Sequence, residues 1–131
     1  FASAELEKVG AMLLVEAINT RDIPGFFVQH TSQALAVIDE VNAPNLRLQY
    51  DIYHMQIMEG DLVRTITNNL DHIKHIQIAD NPGRHEPGSG EINYSIIFNA
   101  LEDLGYDRYV GCEYIPEGST LDGIAWIQKY R

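Results

Sequence analysis

Short apolar runs alternate with longer segments of helical period along most of the 131-residue chain. The apolar runs fall at about residues 11–18, 46–52, 73–79 and 109–114, and each is followed by a polar loop and then an amphipathic segment. Strands that alternate with helices in this way form parallel βαβ units in which helices cover the sheet. The pattern therefore predicts an α/β fold, with four βα units in a single domain over residues 1–131.

Two architectures satisfy this pattern, a doubly wound open sheet and a (β/α)8 TIM barrel. No GxGxxG or GxxxxGK[ST] motif follows any of the predicted strands, which weakens the case for a nucleotide-binding open sheet. A complete barrel takes about 250 residues, so four units would form half of one. Because the sequence opens on Phe1, within what reads as a helix already under way, we expect the carboxyl-terminal half of a longer protein.

Oxygen-bearing side chains stand at the ends of all four predicted strands. Glu16, Asp51, Gln77 and Glu113 are separated by 35, 26 and 36 residues, which is about one βα unit each time. Strand alternation would bring them to one rim, where TIM barrels build their active sites. Such oxygens suit Mg²⁺ or Mn²⁺ better than zinc. Since Arg47 is the only cation predicted nearby on the same face, a divalent metal would relieve the repulsion between the carboxylates.

Charge and composition restrict the partners. With 19 acidic and 9 basic residues the net charge is −10, which argues against a nucleic acid or an anionic membrane as partner. No run approaches the roughly 18 apolar residues of a membrane span. The chain has one cysteine and no signal-peptide pattern, so we expect a cytoplasmic protein. Cys112 should lie on the helix-facing side of its strand as a buried thiol.

Several motifs resemble the hydroxypyruvate isomerase family, which belongs to the xylose isomerase-like TIM barrels together with sugar 3-epimerases. They are "LLVEAIN", "YDIYHMQIMEGDL", "GRHEP", "GEINY" and "GCEYIPEG", and the resemblance extends from about Met12 onward. It implies a divalent metal held at the positions of Glu16, Asp51, Gln77 and Glu113. The related epimerases have a histidine where this chain has Gln77, so the chain follows the isomerase branch.

The resemblance also implies roles in a reaction. Glu16 and Glu113 would be the proton carriers, in an order that the sequence leaves open, and His54 and Arg84 would touch the substrate. His54 would donate to a developing oxyanion, and the forked guanidinium of Arg84 would clamp a carboxylate. The expected reaction is an aldose–ketose type isomerisation of a small anionic hydroxy-oxo acid. For hydroxypyruvate it would give tartronate semialdehyde (2-hydroxy-3-oxopropanoate) through a metal-stabilised enediolate.

Other functions stay open at this point. Isomerisation of a 2-oxo-tetronate, or 3-epimerisation of a ketose, would use the same two glutamates. An endonuclease for abasic DNA would need a basic groove and several histidine ligands, which the charge of −10 opposes. An inert half-barrel is a further alternative, and its open sheet edges would call for a partner half-barrel or a homo-oligomer. His85 and Glu86 either shape their loop or contact the substrate.

Overall fold

The secondary structure alternates between strands and helices throughout the computed structural model, which describes residues 1–130. The strands are β1 (Leu13–Glu16), β2 (Leu46–Asp51), β3 (Ile73–Ile78) and β4 (Val110–Cys112). The helices are α1 (Ala2–Glu7), α2 (Thr31–Val41), α3 (Ile52–Met58), α4 (Leu62–Asn69), α5 (Tyr94–Asp103) and α6 (Thr120–Gly123), and a 3-10 helix spans Ala125–Tyr130. Within residues 1–130, no helix has the length and apolar character needed to span a membrane.

All four strands belong to one parallel sheet, in which they lie in the order of the sequence. This confirms the predicted α/β fold with consecutive βα units. The register pairs Glu16 with Gln49, and Asp51 with Gln77. The carboxyl ends of neighbouring strands therefore meet at one edge, and their last polar residues are brought side by side.

The two faces of the sheet differ in character. On the helix-covered face, Leu48 and Tyr50 of β2 and Ile76 of β3 are buried, and they form a core with apolar side chains of α2, α4 and α5. On the other face of the same strands, Gln49 and Gln77 are only half-buried. The sheet is therefore covered by helices on one side and carries polar groups on the other, as one half of a barrel does.

The segment after β2 differs from the expectation that the strand opens into a loop beyond Asp51. It forms α3 at once, because Oδ1 of Asp51 accepts hydrogen bonds from the backbone N–H of Tyr53 at 2.8 Å and of His54 at 3.2 Å. A carboxylate in this position caps a helix and complements its dipole. His54 consequently lies in the first turn of a helix, in a fixed position beside the end of β2.

The prediction of a buried Cys112 is wrong. Cys112 is exposed, because it is the last residue of a three-residue strand at the edge of the sheet. An edge strand has a neighbouring strand on one side only, so a side chain at its end is less covered than one on an inner strand.

We expect Ile76→Ala to destabilise the intact protein by about 2–5 kcal/mol, because Ile76 is fully buried in the middle of β3 and its loss would leave a cavity. Urea unfolding measures this difference. Ile96→Ala is the matched control, since Ile96 is 56% exposed on α5 and its change should stay within about 0.5 kcal/mol. Equal effects of the two changes would show that the assigned core is wrong.

Candidate active site

Three side chains converge at the carboxyl ends of β1 and β2. Glu16 is the last residue of β1, Asp51 the last of β2, and His54 belongs to the first turn of α3. The Nε2 atom of His54 lies 3.9 Å from Oε1 of Glu16 and 3.7 Å from Oδ2 of Asp51. One ligating atom from each of the three residues falls within 4.8 Å of the others, which is a spacing that a single metal ion can bridge.

Burial makes ionisation costly throughout this cluster. It raises the pKa of Glu16 to about 7, and the nearby charges of Asp51 and Glu113 add to that rise. Burial likewise raises the pKa of Asp51 to about 6. For His54, burial and then the charge of Arg84 lower the pKa to about 4, so the imidazole is neutral at neutral pH. The cluster thus gathers two carboxyl groups without enough positive charge to stabilise both as anions.

The donor atoms fit a divalent cation. Oε1 of Glu16 is buried and has no hydrogen-bond partner among the described residues, although buried polar atoms almost always have one. In Asp51, Oδ1 caps α3 while Oδ2 faces the cluster. Two carboxylates with oxygens free for a ligand are the kind of donors that Mg²⁺ and Mn²⁺ prefer.

The remaining members of the predicted metal set lie beside this cluster with other partners. Gln77 is next to Asp51 in the sheet register, and its Oε1 accepts a hydrogen bond from Nε2 of Gln49. Glu113 follows β4, is 51% exposed and accepts a hydrogen bond from Nη2 of Arg84 at 2.8 Å. The structure therefore brings Glu16 and Asp51 together directly, while participation of Gln77 and Glu113 as ligands stays a prediction.

Arg84 extends over the acidic edge from the loop between β3 and α5. Besides Glu113, its Nη2 lies 3.9 Å from Oδ2 of Asp51, and its guanidinium stands 5.2 Å from the ring centre of Tyr53. Its backbone has φ = 58°, a left-handed conformation that is uncommon outside glycine. A residue held in that conformation requires a well-defined loop around it.

One buried carboxylate organises this loop. Oδ1 of Asp80 accepts hydrogen bonds from the N–H groups of Asn81 at 2.9 Å and Ile92 at 3.0 Å, and Oδ2 accepts one from Gly88 at 2.8 Å. Asp80 is fully buried. Near the other end of the loop, Gly90 lies so close to the carbonyl of Asn81 that a Cβ atom would clash with it. Both ends of the loop are therefore fixed around Asp80, and Arg84 is presented from a constrained segment.

The contacts of His85 and Glu86 favour the loop-shaping alternative. Nδ1 of His85 lies 2.6 Å from the carbonyl oxygen of Ile115, and Oε2 of Glu86 accepts a hydrogen bond from the N–H of Glu117 at 3.0 Å. The N–H of Ile115 in turn donates to the carbonyl of Arg84 at 2.8 Å. These bonds connect the "GRHEP" loop to the segment that carries Glu113, and so they fix the position of Arg84 relative to Glu113.

A cleft of about 390 Å³ opens beside the cluster, between this loop and the loop that follows β1. Its lining includes Arg84 and Tyr53, together with Arg21 and Asp22, which sequence reasoning did not identify. Asn19, which lies fully buried behind His54, was missed as well. The sequence signal for these residues is the polar stretch "NTRD" (19–22), which begins three residues after the carboxylate that ends β1, because loops in that position line the active-site rim of a barrel.

Comparison with known proteins agrees with this architecture. A family model described as the xylose isomerase-like TIM barrel matches residues 1–130. The chain belongs to that family. The crystal structure of a protein named AP endonuclease, family 2, from Brucella melitensis superposes with a TM-score of 0.94 at 47% identity, over 99% of this chain and 50% of that one. The 3-keto-D-glucoside 4-epimerase of E. coli gives a TM-score of 0.82 at 25% identity, over 98% of this chain and 49% of that one.

Two curated relatives carry names of isomerases. Hydroxypyruvate isomerase of Escherichia coli K12 is 52% identical over 131 residues, which are the whole of this chain and 51% of that protein. The 2-oxo-tetronate isomerase of Cupriavidus necator is 44% identical over 130 residues, covering 99% of this chain and 50% of the relative. The chain thus spans about half the length of the curated relatives it matches, and its place as their carboxyl-terminal half stays a prediction.

Asp51→Asn in the intact protein should weaken Mn²⁺ binding by about tenfold or more, because a charged ligand becomes a neutral one while Oδ1 remains to cap α3. Electron paramagnetic resonance of free Mn²⁺ gives the affinity, and circular dichroism checks the fold. Asp61→Asn is the matched control, since Asp61 is exposed and pairs with Arg64 away from the cluster. Unchanged affinity in Asp51→Asn would remove Asp51 from the metal set.

Proposed function

We propose that the intact protein is an intramolecular aldose–ketose type isomerase, which converts hydroxypyruvate to tartronate semialdehyde (2-hydroxy-3-oxopropanoate). The observation that carries the proposal is the placement of Glu16 and Glu113 at the ends of the two outer strands, on either side of Asp51. They are near enough that the charge of Glu113 contributes to the raised pKa of Glu16. Two carboxylates that approach one site from two sides can serve as the base and the acid of a proton transfer between adjacent carbons.

The named relatives support the choice of reaction. Proteins called hydroxypyruvate isomerase and 2-oxo-tetronate isomerase are 52% and 44% identical to this chain over nearly all of it. Both names describe isomerisation of a small hydroxy-oxo acid. Since each relative is about twice as long as this chain, the proposal concerns the intact protein rather than the described half.

The reaction moves one hydrogen between neighbouring carbons. A base removes a proton from C3 of hydroxypyruvate, the C2 carbonyl becomes an oxyanion, and the hydroxyl proton on O3 passes to O2 as C3 becomes the aldehyde. An acid then returns a proton to C2, so that the atoms balance without an oxidant or reductant. Glu16 and Glu113 are the base and the acid in one order or the other, while the N–H group of His54 donates to the oxyanion.

A divalent metal, Mg²⁺ or Mn²⁺, would be held by Glu16, Asp51, Gln77 and Glu113, and would supply Lewis-acid polarisation of the substrate carbonyl. Arg84 binds the substrate carboxylate with the several N–H donors of its guanidinium. Two observations support this role: the guanidinium already donates to a carboxylate, that of Glu113 at 2.8 Å, and Arg84 lines the cleft. Arg21 adds a second cation to the lining of that cleft. These two arginines give an anionic substrate a favourable place in an otherwise acidic chain.

The proposal includes the setting of the enzyme. We place it in the cytoplasm, with neither a membrane nor a nucleic acid as partner. The outer strands β1 and β4 have a neighbour on one side only within residues 1–130. They require a partner half-barrel, from the same protein or from a second copy, to pair their free edges and to cover the polar face of the sheet.

The alternatives differ in what they demand of the site. A 2-oxo-tetronate isomerase or a ketose 3-epimerase would use the same glutamates, but a neutral ketose has no carboxylate for Arg84. Abasic-site cleavage, an activity that matches the name of the Brucella protein, would call for a basic groove and several histidines. Across the described residues the cluster holds one histidine, and the chain carries a net charge of −10. Isomerisation of an acid therefore fits best.

Substrate profiling of the intact protein tests the proposal. Purified protein supplied with Mn²⁺ or Mg²⁺ is assayed with hydroxypyruvate, 2-oxo-tetronates and ketoses, and separately with DNA that contains abasic sites. Highest kcat/KM for hydroxypyruvate is the expected result. A higher value for a 2-oxo-tetronate or a ketose would replace the substrate, and cleavage of DNA without any isomerisation would overturn the reaction class.

Glu113→Gln should lower kcat by about a hundredfold or more, because the amide cannot accept or return a proton. The fold should survive, since the side chain is half exposed and the amide oxygen can still accept from Arg84. Glu117→Gln, the same change at an exposed position four residues further on, should retain wild-type turnover. Near-normal turnover in Glu113→Gln would remove Glu113 from proton transfer.

Arg84→Gln should raise KM for hydroxypyruvate by roughly 10- to 100-fold, which corresponds to the loss of about 1.5–3 kcal/mol from a charge-assisted hydrogen bond. Steady-state kinetics on the anionic acid and on a neutral ketose separates this effect from general damage to the site. Arg108→Gln serves as the control, since Arg108 is exposed outside the cleft. An equal loss on both substrates would contradict the carboxylate-binding role.

A further inference from the structure

A hydrogen-bond chain stands behind His54, on the side away from Glu16, and runs from the buried Asn19 out to the exposed Asp22. Asn19 is fully buried, and its Nδ2 atom lies 2.6 Å from Nδ1 of His54 and 3.0 Å from Oδ2 of Asp22. The hydroxyl group of Tyr53 also donates to Oδ2 of Asp22, at 2.7 Å. The chain therefore runs from the loop after β1 to the histidine at the start of α3.

Asp22 decides which way the amide of Asn19 points. Its backbone N–H donates to Oδ1 of Asn19 at 2.8 Å, while its carboxylate accepts from Nδ2. In the reversed orientation, the amide oxygen would face a carboxylate and the amide N–H₂ would face a backbone N–H. Both of those contacts are repulsive, so the N–H₂ group of Asn19 must point to Asp22 and His54.

This orientation leaves one protonation pattern for His54. Nδ2 of Asn19 has no lone pair to accept a hydrogen bond, so Nδ1 of His54 has to be the acceptor. A neutral imidazole has a single N–H, and here it must be on Nε2. Nε2 is the nitrogen that faces Oε1 of Glu16 and Oδ2 of Asp51, at 3.9 and 3.7 Å.

We propose that Asn19 and Asp22 are positioning residues, which fix His54 as an Nε2–H donor at the acidic edge and thereby keep it out of the metal site. A metal ion binds the lone pair of an imidazole nitrogen, and an Nε2 that carries hydrogen has none to offer. His54 therefore lies beside the metal site but does not bind the ion, and the ligands there are the oxygens of Glu16 and Asp51. The tautomer follows from the hydrogen bonds alone, whereas the use of Nε2–H toward a substrate oxyanion rests on the proposed function.

Nitrogen NMR of the intact protein labelled with ¹⁵N-histidine tests the proposal directly. The His54 signals are assigned by their disappearance in His54→Gln. In the wild-type protein we expect a protonated Nε2 and an unprotonated, hydrogen-bonded Nδ1, and saturation with Mg²⁺ should leave the proton on Nε2. A proton on Nδ1 in the wild-type protein, or loss of the Nε2 proton on addition of Mg²⁺, would overturn the proposal.

Asn19→Asp removes the donor while it keeps the shape of the side chain. Because a carboxylate only accepts, His54 should acquire a proton on Nδ1 in this variant. Asn69→Asp is the matched control, since Asn69 donates to a backbone carbonyl in α4 and should leave the His54 signals unchanged. An unchanged tautomer in Asn19→Asp would show that Asn19 does not set it.

The two proposals fail separately. The wild-type and Mg²⁺ spectra decide the tautomer even where Asn19→Asp does not fold, and they need no substrate. If these spectra are as expected while hydroxypyruvate is not isomerised, the proposed function fails and the positioning role stands. If hydroxypyruvate is isomerised by a protein whose His54 carries its proton on Nδ1, the positioning role fails alone.

Discussion

The carboxylate of Asp51 is the point on which the candidate site depends, because its two oxygens act in different directions. Oδ1 accepts from two backbone N–H groups and starts α3 without a connecting loop, which fixes His54 beside the strand end. Oδ2 is left facing the guanidinium of Arg84 and the imidazole of His54. One buried residue thus links the end of a strand, the start of a helix and the acidic edge, and a shift of its side chain would move all of them.

The carboxylates at the acidic edge are partly desolvated and repel one another, and the described residues offset this only in part. Burial raises the pKa of Glu16 to about 7 and that of Asp51 to about 6, although the nearby charge of Arg84 acts to lower both pKa values. Arg84 is kept at a fixed distance by a loop tied to Asp80, and its nearest carboxylate is Glu113 rather than Asp51. A divalent metal would provide the missing charge at the free oxygen of Glu16.

The sequence predicts the order of the strands and the polar residues at their ends, including Glu16 and Glu113 at the ends of the outer strands. These features depend only on periodicity and on parallel register. The start of α3 was not predicted, because an aspartate at the position of Asp51 is compatible both with the end of a strand and with the cap of a helix. The contacts of Asn19 join residues 35 positions apart, and a single sequence holds no signal for such a pairing. The exposure of Cys112 depends on what covers an edge strand, which strand alternation does not report.

A histidine beside two carboxylates would ordinarily bind the same metal ion as they do. At this site, the hydrogen-bond partners of His54 give it a different role from that of the carboxylates. Asp22 orients Asn19, and Asn19 occupies the lone pair on Nδ1 of His54, so the proton is confined to Nε2. Oε1 of Glu16 has no hydrogen-bond partner among the described residues, and Oδ2 of Asp51 lies 3.7 Å from Nε2 of His54 and 3.9 Å from Nη2 of Arg84, so both oxygens remain available as ligands. A substrate oxygen placed at this edge would therefore meet a fixed N–H donor, and a metal held by Glu16 and Asp51 would supply Lewis-acid polarisation. Because Asn19 and the first turn of α3 hold His54 in place, its N–H donor is oriented before any ligand binds.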